Sequence, residues 1–391
     1  MENICSRNLC TGCGLCNDLC PQKAITMVED TETGHFVPCI NNELCVDCKI
    51  CEKHCPSLKS PEYKSELVTY AAWRKDSGKR EGSSSGGVAA EFYEIALAEG
   101  YCVVGTYLDD KCSAKLKLTD SARDIEKFRG SKYIQADGSG VYVDCIERMK
   151  AGNKVLFIGT PCQCAAMRAA AGKLYLDQVL TVELICHGVS SQKIFADYVK
   201  SIEAKKKKKI TKVSFRSPWG VELSLYAGEK KVWQYKGHED DFLVSFQEGI
   251  LHNDICYSCP YAREERASDI TIGDFWKIGG EIPFDKPDCK VSVLIVNSKK
   301  GMDFLKLCKG LQLVERDYQE AVNGNPNLRQ PSKSHPQKER FWITYHEKGI
   351  EAAYRATIGP GLRKKRIKNR MKSVAKGCLK YFIKGKGIKG C

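Results

Sequence analysis

Residues 10–21 read CTGCGLCNDLCP and residues 45–56 read CVDCKICEKHCP. Each copy runs C-x2-C-x2-C-x3-C-P, and this repeat decides what the first 60 residues can be. Three thiolates two residues apart can curl round one iron–sulfur cubane. The fourth, beyond a turn, points away to a second cubane. Cys10, Cys13, Cys16 and Cys55 are therefore expected to hold one [4Fe-4S] cluster, and Cys45, Cys48, Cys51 and Cys20 another. A pair of zinc sites is the alternative, but a zinc knuckle takes two ligands, not four. So short a segment buries little core, and cluster binding is expected to supply much of its folding free energy. Nothing in it binds a substrate. It reads as a wire, with the chemistry elsewhere.

The spacing is that of bacterial two-cluster ferredoxins, so residues 1–60 are expected to form an α+β ferredoxin-like domain. The whole chain has 391 residues and 22 cysteines, enough length for two or three domains. The N-terminus MENICSRNLC has no apolar signal core and no apolar window reaches spanning length, which points to the cytoplasm. There, cysteines serve as metal ligands or catalysts more readily than as disulfides.

Beyond the polar stretch Ser57–Glu66, short apolar runs alternate with helical patterns: LVTYAAW, YCVVGTYL, KVLFIG, LTVELIC and KVSVLIVNS as strands, and the segments after GSSSGG and TDS as helices. This predicts an α/β domain over residues 67–345, a mixed sheet covered by helices. Residues 346–391 are expected to be a basic helical tail.

Within the larger domain, four cysteines stand apart. Cys162 follows Gly-Thr-Pro where the strand VLFIG should meet a helix. Cys186 ends the strand LTVELIC and precedes His187. Cys256 and Cys259 form the knuckle CYSCPY. Strand ends on one rim of a sheet converge, so these four would suit a third [4Fe-4S] cluster. Two other roles stay open: a redox-active Cys162 sharpened by the helix N-terminus, paired with Cys164 as a thiol–disulfide reductase, or buried thiols or zinc ligands. Cys5, Cys39, Cys102, Cys112, Cys145, Cys164, Cys289, Cys308, Cys378 and Cys391 show no ligand spacing and read as small apolar filler.

REGSSSGG, residues 80–87, runs into a helix N-terminus, where backbone N–H groups and serine hydroxyls favour a phosphate. SDITIGDFW, residues 268–276, is a strand ending in aromatics. Taken in order, the cysteine repeat, SSSGG, SKYIQ, GTPCQ, CHG and CYSCPYAREERASDITIGDFW resemble the coenzyme F-420 hydrogenase/dehydrogenase beta-subunit family, in its bacterial form with an N-terminal ferredoxin domain. The resemblance covers about residues 1–345. It implies bound FAD and a flavin-dependent oxidoreductase that passes electrons between a ferredoxin-like donor, the clusters and FAD to an unidentified small-molecule substrate. It associates this layout with polysaccharide biosynthesis. It further implies flavin contacts for Ser85, Gly86, Gly87, Lys132, Thr160, Gly273, Phe275 and Trp276, and a proton donor in His187 or Asp274. A non-catalytic electron-transfer subunit docked to an oxidoreductase is the alternative.

Thirteen of the net fourteen positive charges lie in residues 352–391, which hold no Asp or Glu. Leu362, Ile367, Met371, Val374, Leu379, Phe382 and Ile383 recur there at roughly helical spacing. An amphipathic helix on an anionic membrane surface would use both features, at about 1 kcal/mol per basic residue. A solvated tail is the plainer alternative, and a nucleic acid is the least favoured partner, because the rest of the chain is nearly neutral.

Overall fold

In the computed structural model, which describes residues 3–217, 220–285, 287, 290–367 and 369, the cysteine repeat encloses a small antiparallel pair, β1 (Ile25–Glu29) and β2 (Phe36–Ile40). The apolar runs that follow become β3 (Val68–Arg74), β4 (Cys102–Leu108), β5 (Ala114–Thr119), β6 (Val155–Gly159) and β7 (Val179–Leu184). A separate antiparallel sheet holds β8 (Lys212–Ser217), β9 (Gly220–Ala227) and β10 (Lys230–Lys236). The chain then returns with β11 (Ile270–Asp274), β12 (Ser292–Val296) and β13 (Leu311–Arg316). The main sheet has the order β13-β3-β12-β11-β7-β6-β4-β5. Its centre, β4, β6, β7 and β11, is parallel, and its flanking pairs are antiparallel.

The central strands are apolar throughout because both faces are covered. Alternation decides which face each residue serves. Val155 and Phe157 pack with Ala166, Met167 and Phe195 on one face. Leu156 and Ile158 pack with Phe92, Leu180 and Phe304 on the other. The helix Pro161–Tyr175 leaves β6 through a capping box, in which the Gln163 side chain accepts from Thr160 N at 3.0 Å.

The N-terminal module sits on this sheet through specific hydrogen bonds. Helix Val141–Lys150 begins at Gly140, which has no side chain to cap it. Asp18 does so from the module, accepting from Gly140 N at 2.6 Å and Tyr142 N at 3.0 Å. Gln135 accepts from Phe36 N at 2.7 Å and donates to Thr11 O at 3.2 Å. His35, buried, places Nε2 3.1 Å from Val189 O.

Two stretches differ from their sequence appearance. Ser57–Glu66 is fastened to the sheet domain: Lys64 and Arg266 exchange both backbone hydrogen bonds, at 2.9 and 2.8 Å. The segment after residue 346 is part of the core, since Ile350, Ala353, Tyr354, Ile358 and Leu362 are all buried against it. Leu362 is thus unavailable to a membrane face, while Ile367 is exposed. Met371, Val374, Leu379, Phe382, Ile383 and most of the proposed amphipathic helix lie outside the described residues. Among the described residues no helix is long and apolar enough to cross a membrane.

The packing has two measurable consequences. At Gly86 an added Cβ would lie 2.3 Å from Ala72 O and 3.0 Å from Ser292 N. Gly86→Ala must therefore push β3 and β12 apart, and should cost about 1–3 kcal/mol in urea-unfolding free energy. Burial pushes the His35 imidazole down to about 4. The unfolded chain takes up this proton near pH 6.5 and the folded chain only near 4, so stability present above pH 6.5 is lost as pH falls towards 4, by about 3 kcal/mol. His35→Gln should flatten that slope in unfolding curves recorded across the same range, leaving the part due to His252, which burial pushes down to about 3.

Candidate functional site

The eight cysteines of the repeat separate into two groups. Cys20, Cys45, Cys48 and Cys51 line a single apolar pocket with Pro21, Ile25 and Ile40. Cys55 lies instead beside Cys10, Cys13 and Cys16. Burial pushes the Cys13 thiol up to about 12, with the charges of Cys10 and Cys55 adding to the effect, and Cys16 is raised by burial and the same neighbours. Backbone N–H groups point at two of the sulfurs: Gly12 N at Cys10 Sγ, 3.4 Å, and Ala24 N at Cys20 Sγ, 3.3 Å. A ninth cysteine was not singled out by spacing. Cys5 hydrogen-bonds Cys10 and Cys55, which raises its own thiol and helps lower that of Cys55 to about 6. Only proximity across the fold reveals it.

The second cysteine set is assembled from three places on the rim. Cys162 stands in the first turn of the helix leaving β6. Cys186 lies just past the end of β7. Cys256 and Cys259 lie in and just after the 3-10 turn Asp254–Ser258. Burial and then the Cys186 charge drive the Cys162 thiol well above its ordinary range, with Cys259 and Cys13 contributing. Burial pushes Cys186 up to about 12, again with Cys259 nearby. Cys256 is raised by burial and by Cys186 and Cys259. Four mutually repelling, desolvated thiols resist ionisation on their own. A cationic iron core would remove that penalty, because metal coordination deprotonates a thiol outright. The donor set and its burial fit a cubane. Among the described residues no three His, Cys, Asp or Glu side chains close round a single ion.

The same geometry weighs against a thiol catalyst at Cys162. Its sulfur is 3.2 Å from Thr160 Oγ1, a contact that favours the thiolate, but burial and the Cys186 charge outweigh it. Cys164 points into the core, with Sγ 3.5 Å from Val182 O. The two thiols diverge, as a separation of about 200° on a helix requires.

The two halves of the cysteine system meet at Cys13 and Cys162. The rings of Tyr142 and Tyr261 each lie close enough to feel both sulfurs. Tyr261 also donates to Pro56 O at 3.2 Å, tying the rim to the end of the repeat.

A cluster of polar side chains joins the serine loop to the ends of β8 and β11. The Arg216 guanidinium donates to Asp274 Oδ2 at 2.8 Å and lies 5.8 Å from the centre of the Tyr133 ring. Lys290 Nζ donates to Ser217 O at 2.7 Å and Ser84 O at 3.4 Å. Ser131 donates to Ser84 Oγ at 3.0 Å. Buried Ser83 Oγ and Arg216 Nε have no partner. Unsatisfied donors around a serine loop suit an anionic group such as a flavin nucleotide's pyrophosphate. Arg216 and Lys290 carried no motif, and only the fold brings them to the loop.

The residues of the flavin expectation divide. Ser85 donates to Val291 O at 3.1 Å, and Gly86 N donates to Ser292 Oγ at 2.9 Å, so both close the loop onto β12. Gly87, at φ 88°, opens the helix Val88–Ala98. Lys132 Nζ donates to the carbonyls of Lys127, Phe128 and Arg129, 2.9 to 3.2 Å away. Its three protons thus cap the helix Ala122–Phe128, using every donor an ammonium has. Thr160 caps its own helix. Gly273 lets Ile185 pack closely and Phe275 is core, while Trp276 is exposed. His187 has Nε2 2.9 Å from Gln247 O and Nδ1 3.2 Å from Asn327 Oδ1. Behind it, His252 is fully buried with neither ring nitrogen partnered.

Comparison with known proteins agrees with this layout. Residues 152–320 match the C-terminal family model for the "Coenzyme F420 hydrogenase/dehydrogenase, beta subunit", and residues 69–141 match its N-terminal counterpart. Residues 9–58 match a 4Fe-4S dicluster domain. An F(420)H(2) dehydrogenase subunit of Methanosarcina mazei is 25% identical over 217 residues, 51% of this chain and 61% of the relative. The coenzyme F420-dependent sulfite reductase of Methanocaldococcus jannaschii is 24% identical over 341 residues, 81% of this chain and 49% of the relative. This chain thus spans 61% and 49% of the lengths of these two relatives. A chain of the F420-reducing [NiFe] hydrogenase complex from Methanosarcina barkeri is 17% identical, covering 75% of this chain and 91% of that one, with a TM-score of 0.46. The chain belongs to the coenzyme F420 hydrogenase/dehydrogenase beta-subunit family and carries a 4Fe-4S dicluster domain at its N-terminal end.

Proposed function

We propose that this chain is a flavin-dependent iron–sulfur oxidoreductase that exchanges single electrons with a redox protein at its N-terminal module and an electron pair with a small molecule at the polar cluster. One observation carries this: Cys162, Cys186, Cys256 and Cys259 lie near one another, and Cys162 lies near Cys13 of the repeat. These four would hold a third [4Fe-4S] cluster, and the repeat two more. Ser83, Arg216 and Lys290 would hold the anionic part of FAD. The flavin, when bound, supplies the step between one-electron and two-electron chemistry.

The protein's own part is binding, insulation and proton handling. The half-buried rim limits the access of water to the sulfurs. Tyr142 and Tyr261 both lie near Cys13 and Cys162. Asp274 lies closer to this polar group than His187 does: its carboxylate, on β11, accepts from Arg216 beside Tyr133 and Lys290. Both nitrogens of His187 face fixed partners outside that group. The substrate is a two-electron carrier small enough to reach the polar cluster. A deazaflavin is the first to try, because two relatives are named for F420.

A second reading, an electron-transfer subunit without flavin, is supported by the naming of one relative as a dehydrogenase subunit.

Anaerobic reconstitution separates these. Three cubanes require about twelve iron atoms per chain, and Cys259→Ala should remove about four of them while leaving bound flavin in place. Iron near eight, unchanged in that variant, would refute the third cluster. Absence of a flavin absorbance band with FAD supplied would favour the second reading. Arg216→Gln should weaken FAD retention at least tenfold with the iron content unchanged.

A further inference from the structure

Two charged side chains beside the second cysteine set take part in none of the roles above. Glu183 lies on β7, three residues before Cys186, and Arg266 lies seven residues after Cys259. Their exposures are 0% and 1%. Arg266 Nε donates to Glu183 Oε1, and Nη1 donates to Tyr261 O at 3.0 Å and Arg263 O at 2.7 Å. Thr271 Oγ1 donates to the same carboxylate oxygen at 3.2 Å, whereas Oε2 has no partner. Ala267, next to Arg266, packs with Tyr261, Cys162 and Cys259. The ion pair is therefore walled into the layer that carries the cysteines.

Stability does not account for it. Desolvating two charges costs about as much as their attraction returns, and apolar replacements of such pairs are often neutral or stabilising. The unpartnered Oε2 adds to the cost. What the pair does supply is a fixed field at the sulfurs. Arg266 Nη1 is held on Tyr261 O, two residues after Cys259, and the adjoining Ala267 packs with Cys162 and Cys259, so the guanidinium lies beside the cysteine set.

We infer that Arg266 and Glu183 are a positioned charge pair that sets the reduction potential of the third cluster, Arg266 raising it and Glu183 restraining it. This rests on the third-cluster assignment proposed above. A cluster gains one negative charge when it takes up an electron, and a desolvated cation nearby stabilises that state while a carboxylate destabilises it. No bond forms or breaks in this role, and no proton transfer is required. Sequence inspection gives neither residue a role: Arg266 lies inside the stretch CYSCPYAREERASDITIGDFW and Glu183 is one polar residue in a strand.

The test is an electron-paramagnetic-resonance redox titration of the full reconstituted chain, with the N-terminal clusters as internal reference. Arg266→Gln should lower the third cluster's midpoint potential and Glu183→Gln should raise it. The reduced-to-oxidised ratio at fixed potential should change roughly tenfold in each case, for one buried unit charge. Arg266→Lys should restore most of the wild-type value. The neutral double variant, which leaves no unpaired buried charge, should fall below wild type but above Arg266→Gln. Shifts of the same sign in both single variants would overturn the inference, as would an unmoved potential in a variant that keeps the third signal. If the single variants lose the cluster, an unmoved potential in the double variant overturns it. A wild-type iron content near eight removes the third cluster itself, and is distinguished from these outcomes by the missing signal.

Discussion

Everything functional in this molecule depends on one helix whose cap comes from elsewhere in the chain. Helix Val141–Lys150 begins at a glycine, and its first N–H groups turn to Asp18 in the cysteine module. Such a cap contributes only about 1 kcal/mol, but its geometry is strict, and it fixes where the module sits. An Asp18 carboxylate in any other place would leave those donors unpaired. Gln135 adds a second fixed point, between Thr11 and Phe36. With both engaged, Gly138 lies against Cys13 O, too close for a side chain there. The module can therefore approach the rim closely enough for Cys13 and Cys162 to face common neighbours.

The sulfurs are set in a layer that would be costly if left bare. Burial raises the thiols of Cys162, Cys186, Cys256 and Cys259 together, and their charges would oppose one another's ionisation. A nucleophilic cysteine needs surroundings that favour its thiolate, and neighbouring sulfurs oppose it here. The strand-to-helix turn at Gly159–Cys162 would activate an isolated thiol through the helix dipole. Here it delivers the thiol to a rim crowded with other sulfurs. The same turn thus serves different chemistry according to what the rest of the fold places opposite it.

The parts of the fold legible in the sequence were those with local causes. The cysteine spacings follow from the reach of a short chain round a cubane. β3, β4, β6, β7, β11 and β12 are short apolar runs because they are buried or central in one sheet. The helix Ala122–Phe128 carries its own cap, Ser121. The parts that were not legible have causes distant in the chain. β8, β9 and β10 alternate polar with apolar residues and form a small sheet of their own, without a long apolar run. Ile350 to Leu362 looked like the start of a basic tail, since basic residues crowd just beyond them, yet their apolar side chains close the core beside Tyr198 and Phe242. Cys5, Arg216 and Lys290 carry no pattern at all and acquire neighbours only on folding.

The serine-glycine loop shows how a motif can point to the right place for a partly different reason. Its backbone N–H groups and serine hydroxyls suggested a cradle for phosphate, but Gly86 is required by the contact between β3 and β12, and Gly87 by the positive φ that starts the next helix. Ser85 likewise closes onto Val291. Once those residues are assigned to packing, the anion site proposed above rests on Ser83 Oγ and Arg216 Nε, buried polar atoms left without partners. Burying unpaired polar atoms is unfavourable, so a site built for a ligand is recognised better by what the fold leaves unsatisfied than by what the motif already uses. By that criterion the polar cluster between the serine loop and β11 offers the proposed anion the unpaired donors Ser83 Oγ and Arg216 Nε.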